Sequence, residues 1–141
     1  MARIIAICNQ KGGVGKTTSS INLGSYLAAM GKYVLLVDMD SQANATGGLG
    51  INIGEESANV YHAIVNDQSP LAMIKRTSIF GFDVLPATQA LAGATVELVL
   101  MEEREYRLKN VLNSLRMNYD YILIDCPPSL GLLTINALTA G

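Results

Sequence analysis

Histidine, cysteine and net charge are all scarce in this chain, and each scarcity removes a class of function. His62 is the only histidine and Cys8 and Cys126 the only cysteines, so no set of these residues has the spacing of a metal centre or of a disulfide framework. Two isolated cysteines near strand ends fit reduced, buried thiols in a cytoplasmic protein. A formal net charge of -2 provides no basic excess, and nucleic-acid binding by this segment has no electrostatic support. No apolar run reaches the length of a membrane span, and no charged n-region precedes an apolar stretch at the N-terminus. Repeats and low-complexity tracts are absent too. What the chain does have is apolar content: half of its 141 residues, enough for one domain folded around a buried sheet.

The most informative segment is QKGGVGKTT, residues 10–18. Residues 3–8 before it form a short β-branched apolar run, the pattern of a strand buried on both faces of a parallel sheet. Gly12, Gly13 and Gly15 leave the backbone free to turn successive N–H groups toward phosphate oxygens. Residues 17–30 continue as a helix whose N-terminal dipole points at the same phosphates. Strand, glycine loop and helix together read as a P-loop. Gly12, Gly13, Val14, Gly15, Lys16, Thr17 and Thr18 form the cradle, with Lys16 for the β and γ phosphates of a nucleoside triphosphate and the Thr17 hydroxyl for Mg2+.

The general pattern G-x-x-x-x-G-K-S/T asks for glycine where Gln10 stands, and a second lysine, Lys11, follows. That variant resembles the deviant Walker A loop, K-G-G-x-G-K-S/T, of ParA/Soj-type chromosome or plasmid partition ATPases, in the wider group that includes MinD and the nitrogenase iron protein. The resemblance implies that Lys11 reaches the partner subunit's ATP across a nucleotide-sandwich dimer, delivering positive charge much as an arginine finger does.

Further along, Gly31 looks like a helix C-cap, residues 32–38 read as a second strand ending in Asp38, and the Gly, Asn, Ala and Ser of residues 39–52 read as an irregular loop at the sheet's carboxyl edge. Short helices are expected over 59–65 and 71–75, and a third strand over 82–86, stopped by Pro86. Apolar residues at helical spacing over 89–116, broken at residues 102–105, give two helices or one bent helix. Residues 119–125 form a fourth strand in Walker B form, four apolar residues before Asp125, which suits a carboxylate that holds Mg2+ at the sheet edge. A last helix covers 132–140. His62 reads as a structural residue of a short helix. Arg104, Arg107, Lys109 and Arg116 alternate with glutamates as on a solvated helix.

Asp38-Met39-Asp40-Ser41-Gln42-Ala43-Asn44 is similar to the family's D-x-D-P-Q-G-N segment, with Ser41 and Ala43 in place of the proline and glycine. By that resemblance Asp40 orients the attacking water and Asp38 supports the magnesium shell, while Gln42 and Asn44 favour the partition branch. Asp125-Cys126-Pro127-Pro128 resembles the family's switch region. The fold implied is α/β: a parallel sheet flanked by helices on both faces, of the deviant Walker A P-loop class, with the third, second, fourth and first strands side by side and the P-loop strand left at an edge. Residues 1–141 correspond to the N-terminal part of a single ATPase domain. Family members continue beyond Gly141 with further strands, the part that grips adenine, and basic residues that bind DNA without sequence preference.

ATP and Mg2+ are thus the implied cofactors. The implied partners are a second copy on ATP binding, a ParB-like protein that stimulates hydrolysis, and DNA through the absent C-terminal half. The implied location is the cytoplasm, on the nucleoid in the full-length protein, with no membrane. Alternatives are a phosphate-binding fragment without hydrolysis, a MinD-type ATPase, or a biosynthetic relative such as dethiobiotin synthetase or cobyrinate amidase.

Overall fold

The computed structural model describes residues 2–8, 14–54, 56–128 and 131–141, and of Val14 the backbone only. Strand β1 (Arg3–Ile7) leads to helix α1 (Val14–Ala29), followed by β2 (Val34–Asp38), α2 (Asn44–Gly48) and α3 (Val60–Val65). A 3-10 turn (Pro70–Ala72), β3 (Lys75–Arg76), β4 (Phe82–Leu85), α4 (Leu91–Val99), α5 (Arg107–Asn113), β5 (Tyr121–Asp125) and α6 (Leu132–Ala140) complete the chain. The sheet runs β1-β5-β2-β4-β3, parallel except where β3 pairs antiparallel with β4. The four long strands therefore stand in the expected order, with β1 at one end.

Alternate side chains of the central strands feed two cores, as the two-residue period of a strand requires. Leu35, Val37, Ile122 and Ile124 face one way and pack with α3 to α6, through Ile64, Leu91, Leu98, Leu108, Leu112 and Ala137. Val34, Leu36, Leu123, Phe82 and Val84 face the other way and pack against α1 through Ala28, Ile21 and Leu27. Helices thus cover both faces, which is why β2 is buried along its whole length and reads as continuous apolar sequence. Helix α1 lies so close to the sheet that a Cβ on Gly24 would overlap the Phe82 ring. On the opposite face the buried Asn136 of α6 accepts from Leu108 N (3.0 Å) and donates to Arg104 O (2.8 Å) and Leu132 O (2.7 Å), fastening α6 to the start of α5.

Several local expectations are corrected. Residues 71–75 do not form an α-helix: Ser69 caps a single 3-10 turn, with its hydroxyl accepting from Leu71 N, and Lys75–Arg76 then joins the edge of β4. Two exposed cations have no periodicity to betray a strand; the open edge of β4 supplies the hydrogen bonds. The 39–52 stretch is not wholly irregular, because α2 occupies Asn44–Gly48 after Ala43 takes a left-handed conformation, φ 55°. Cys8 and Cys126 are not two separate buried thiols. Cys8 is exposed, and the pair forms a disulfide with a Cα–Cα separation of 5.1 Å. The parallel register that sets Ile7 beside Asp125 brings the next residue of each strand into contact.

Other readings hold. Residues 89–116 form two helices, α4 and α5. His62 accepts from Asn59 N through Nδ1 (3.2 Å) in the capping box of α3. The basic residues read as one solvated helix, however, do not share one: Arg107 and Lys109 lie on α5, Arg104 and Arg116 in turns on either side of it, with Arg104 pairing with Glu105 and the Val99 carbonyl and Arg107 with Asp67 and the Ile64 carbonyl.

Candidate functional site

Strands β1, β5 and β2 end level with one another, Ile7 beside Asp125 and Asp125 beside Asp38. Their carboxyl ends form the crevice in which open α/β sheets hold ligands. Asp125 N-terminal neighbours are all apolar, so its carboxylate emerges from the buried end of β5, itself fully buried. It gathers three groups from the first turns of α1. Lys16 Nζ meets Asp125 Oδ1 at 2.5 Å, Thr17 Oγ1 donates to Oδ2 at 3.1 Å, and Ser20 Oγ lies 3.2 Å from Oδ1 and 3.1 Å from the Lys16 carbonyl. Lys16 and Ser20 are one helical turn apart and share a face. A buried ammonium against a buried carboxylate is tolerable only with such extra hydrogen bonds.

A second polar cluster stands at the end of β2. Asp38 Oδ1 accepts from Asp40 N (3.1 Å), and Oδ2 accepts from Thr46 N (3.0 Å) and Thr46 Oγ1 (2.7 Å). Burial pushes the Asp38 carboxyl up to about 6; the Thr46 hydroxyl, then the Thr46 and Asp40 amides, oppose that rise, and the nearby Asp125 charge adds to it. Asp40 in turn accepts from Gln42 N through Oδ1 (3.0 Å), and its carbonyl accepts from Ala43 N (2.9 Å). Asp40 is 6% exposed, so it is nearly sealed in the loop that it anchors.

The site residues expected from sequence therefore fall in two groups. Lys16, Thr17 and Asp125 are in direct contact. Asp38 and Asp40 bond to each other and to their own loop, level with Asp125 on the neighbouring strand. Gly15 lies in the first turn of α1, where a Cβ would meet nothing within 4 Å, and Thr18 is exposed on that helix. Val14 opens α1. Lys11, Gly12 and Gly13 lie outside the described residues. Among the described residues no group of three His, Cys, Asp or Glu side chains has metal-holding geometry, and no helix is long and apolar enough to cross a membrane.

A family model described as an AAA domain matches residues 2–141. The chain belongs to that family. It is of the ParA/Soj type: it is 60% identical over its full length to the sporulation initiation inhibitor protein Soj of Bacillus subtilis, covering 56% of that protein. It is 52% identical to the chromosome partitioning protein ParA of Myxococcus xanthus, again over its full length and 50% of the relative. A crystal structure described as cobyrinic acid a,c-diamide synthase from Mycobacterium smegmatis, with bound ATP analogue and magnesium, superposes with a TM-score of 0.95 at 43% identity, covering all of this chain and 57% of that one. The chain spans about half the length of the curated relatives it matches.

Two buried residues of these clusters escape a reading of the sequence. Ser20 has a weak signal, its position one turn after Lys16. Thr46 has none: from inside α2 it meets Asp38, eight residues earlier, and its hydroxyl also accepts from Ala87 N (3.1 Å), 41 residues away.

Proposed function

We propose that this chain is the nucleotide-binding part of a partition switch that binds and hydrolyses ATP with Mg2+. The observation that carries the reading is the convergence of Lys16, Thr17 and Ser20 on the buried Asp125 carboxylate at the end of β5. The donor set suits the cofactor. Mg2+ takes hydroxyl and carboxylate oxygens, one or two from protein and the rest from water and phosphate, and Thr17 with Asp125 is such a set, with Asp38 beside it. When bound, Mg-ATP supplies the phosphoanhydride to be cleaved and the divalent charge that neutralises it.

The chain's own residues do the rest. Lys16 exchanges one anionic partner, Asp125, for another, the phosphate oxygens, so its charge is never left unpaired in the buried site. The backbone of residues 11–18 holds the phosphates, and Lys11 serves a second copy's nucleotide. Asp40, its plane set by Gln42 N, orients the attacking water by position more than by basicity. Dimerisation on ATP, stimulation by a ParB-like partner and DNA binding through residues beyond this segment complete the switch, as the family resemblance implies.

The likeness to a chain described as a cobyrinic acid a,c-diamide synthase supports the same nucleotide chemistry. The higher identity to Soj and ParA proteins and the Asp40-Ser41-Gln42-Ala43-Asn44 stretch favour partition over biosynthesis. Phosphate release from Mg-ATP by the chain beside Asp40→Ala tests the reading. Turnover abolished in the variant with nucleotide binding kept is expected. Binding without turnover in both would support the alternative of a phosphate-binding fragment.

A further inference from the structure

We infer that Thr46 is the positioning residue that holds Asp40 in place for hydrolysis, acting through Asp38; the inference rests on Asp40 as the water-orienting carboxylate. The connection is continuous and buried. Asp38 is a two-sided bracket, taking the Asp40 amide on one oxygen and the Thr46 amide and hydroxyl on the other. The Thr46 hydroxyl then takes the Ala87 amide, which sits just past the end of β4. An ionised carboxylate only accepts and an amide N–H only donates. The hydroxyl proton therefore lies toward Asp38 and a lone pair toward Ala87. One side chain closes the carboxyl ends of β2 and β4 onto each other, and no other hydroxyl of the loop makes that link among the described residues.

The loop needs this closure because of Ala43. It sits in the left-handed region, φ 55° and ψ 34°, where a Cβ is unfavourable and glycine would be free. Such a residue persists when its surroundings over-determine it. Here the surroundings are the Ala43 N bond to the Asp40 carbonyl (2.9 Å) on one side and, on the other, α2, held by Thr46. Slackening Thr46 lets Ala43 relax, and the Asp40 carbonyl and amide move with it. Asp40 then loses its aim at the water, while the side chains of Lys16, Thr17 and Asp125, which among the described residues share no hydrogen bond with the side chains of the Thr46 network and meet that segment through the Met39 N bond to the Asp125 carbonyl (2.9 Å), keep theirs.

Thr46→Val tests this, since it keeps shape and β-branching and removes the two hydrogen bonds of the hydroxyl while leaving the amide bond to Asp38. Turnover of Mg-ATP should fall about 10- to 100-fold, the scale of a misplaced group, with the dissociation constant of Mg-ATP unchanged within about twofold. Native-state hydrogen exchange, read without nucleotide, should speed up about tenfold or more at the Asp40 and Ala87 amides and stay unchanged at Ile122 and Leu123 in β5. Thr46→Ser should restore both. Adding Ala43→Gly to Thr46→Val should recover part of the turnover by relieving the left-handed residue. Wild-type exchange at Asp40 and Ala87 in Thr46→Val overturns the inference, as does loss of binding in parallel with turnover. A wild-type chain that binds but never turns over defeats the hydrolytic reading instead, and with it the role given to Thr46.

Discussion

Cutting away one partner of the Lys16–Asp125 pair should cost more than cutting away both. Their side chains are 2% and 0% exposed and meet at 2.5 Å. Lys16→Met leaves the Asp125 carboxylate buried with, among the described residues, the Thr17 and Ser20 hydroxyls alone, a loss of about 3–5 kcal/mol for an uncompensated buried charge. Asp125→Leu strands the ammonium instead, at the lower end of that range, because the long lysine stem lets its head reach water. The double variant Lys16→Met/Asp125→Leu puts apolar side chains on both sides and should return to within about 1 kcal/mol of the wild type or exceed it. Urea denaturation reads all four chains. With a slope of about 2 kcal/mol per molar, the Lys16→Met midpoint should fall by about 1.5–2.5 M and the double variant should recover most of it. Two single losses below about 1 kcal/mol that simply add would mean that the pair behaves as a hydrated surface pair, and the packed site described above would be wrong.

Gly24→Ala should destabilise by about 1–2 kcal/mol despite alanine's better helix propensity, because the new Cβ meets the Phe82 ring; a thermal midpoint at or above wild type refutes the close packing of α1. The Cys8–Cys126 bridge closes a separation of 118 residues, so Cys8→Ser should cost up to about 4–5 kcal/mol by loop entropy, and thiol labelling of the native, unreduced chain should find no free cysteine. Burial and its bond to Asp83 (2.8 Å) raise the Tyr119 phenol above its ordinary range. The folded state then keeps a proton that the unfolded state gives up above a pH of about 10. Stability should fall as pH rises past that point, and Tyr119→Phe should flatten the fall; equal alkaline slopes would contradict it. Strand β1 ends the sheet and pairs with β5, so the chain should self-associate through that edge, and a light-scattering mass that stays monomeric at all concentrations refutes this.

Much of the architecture was readable because buried parallel strands advertise themselves. Val34 to Val37 and Ile122 to Ile124 are unbroken apolar runs ending in aspartates, and the same pattern marks where the carboxylates must emerge. Lys16 followed from the glycine loop, and its meeting with Asp125 from a shared sheet edge. What stayed hidden lacks local periodicity. β3 is two exposed cations that exist as a strand only because β4 has an open edge. α2 begins at an alanine in a glycine's conformation, which its composition disguises as loop. The Cys8–Cys126 bridge and the Thr46–Ala87 bond depend on strand register across long separations, and sheet order had to be known before either pairing became visible.

Calorimetric titration of the chain with Mg-ATP shows whether the Lys16–Asp125 end of the sheet is a nucleotide site. Saturable binding at one site per chain is expected, abolished by Lys16→Ala while the variant remains folded by circular dichroism. Binding of equal strength by wild type and a folded Lys16→Ala chain would place the nucleotide elsewhere.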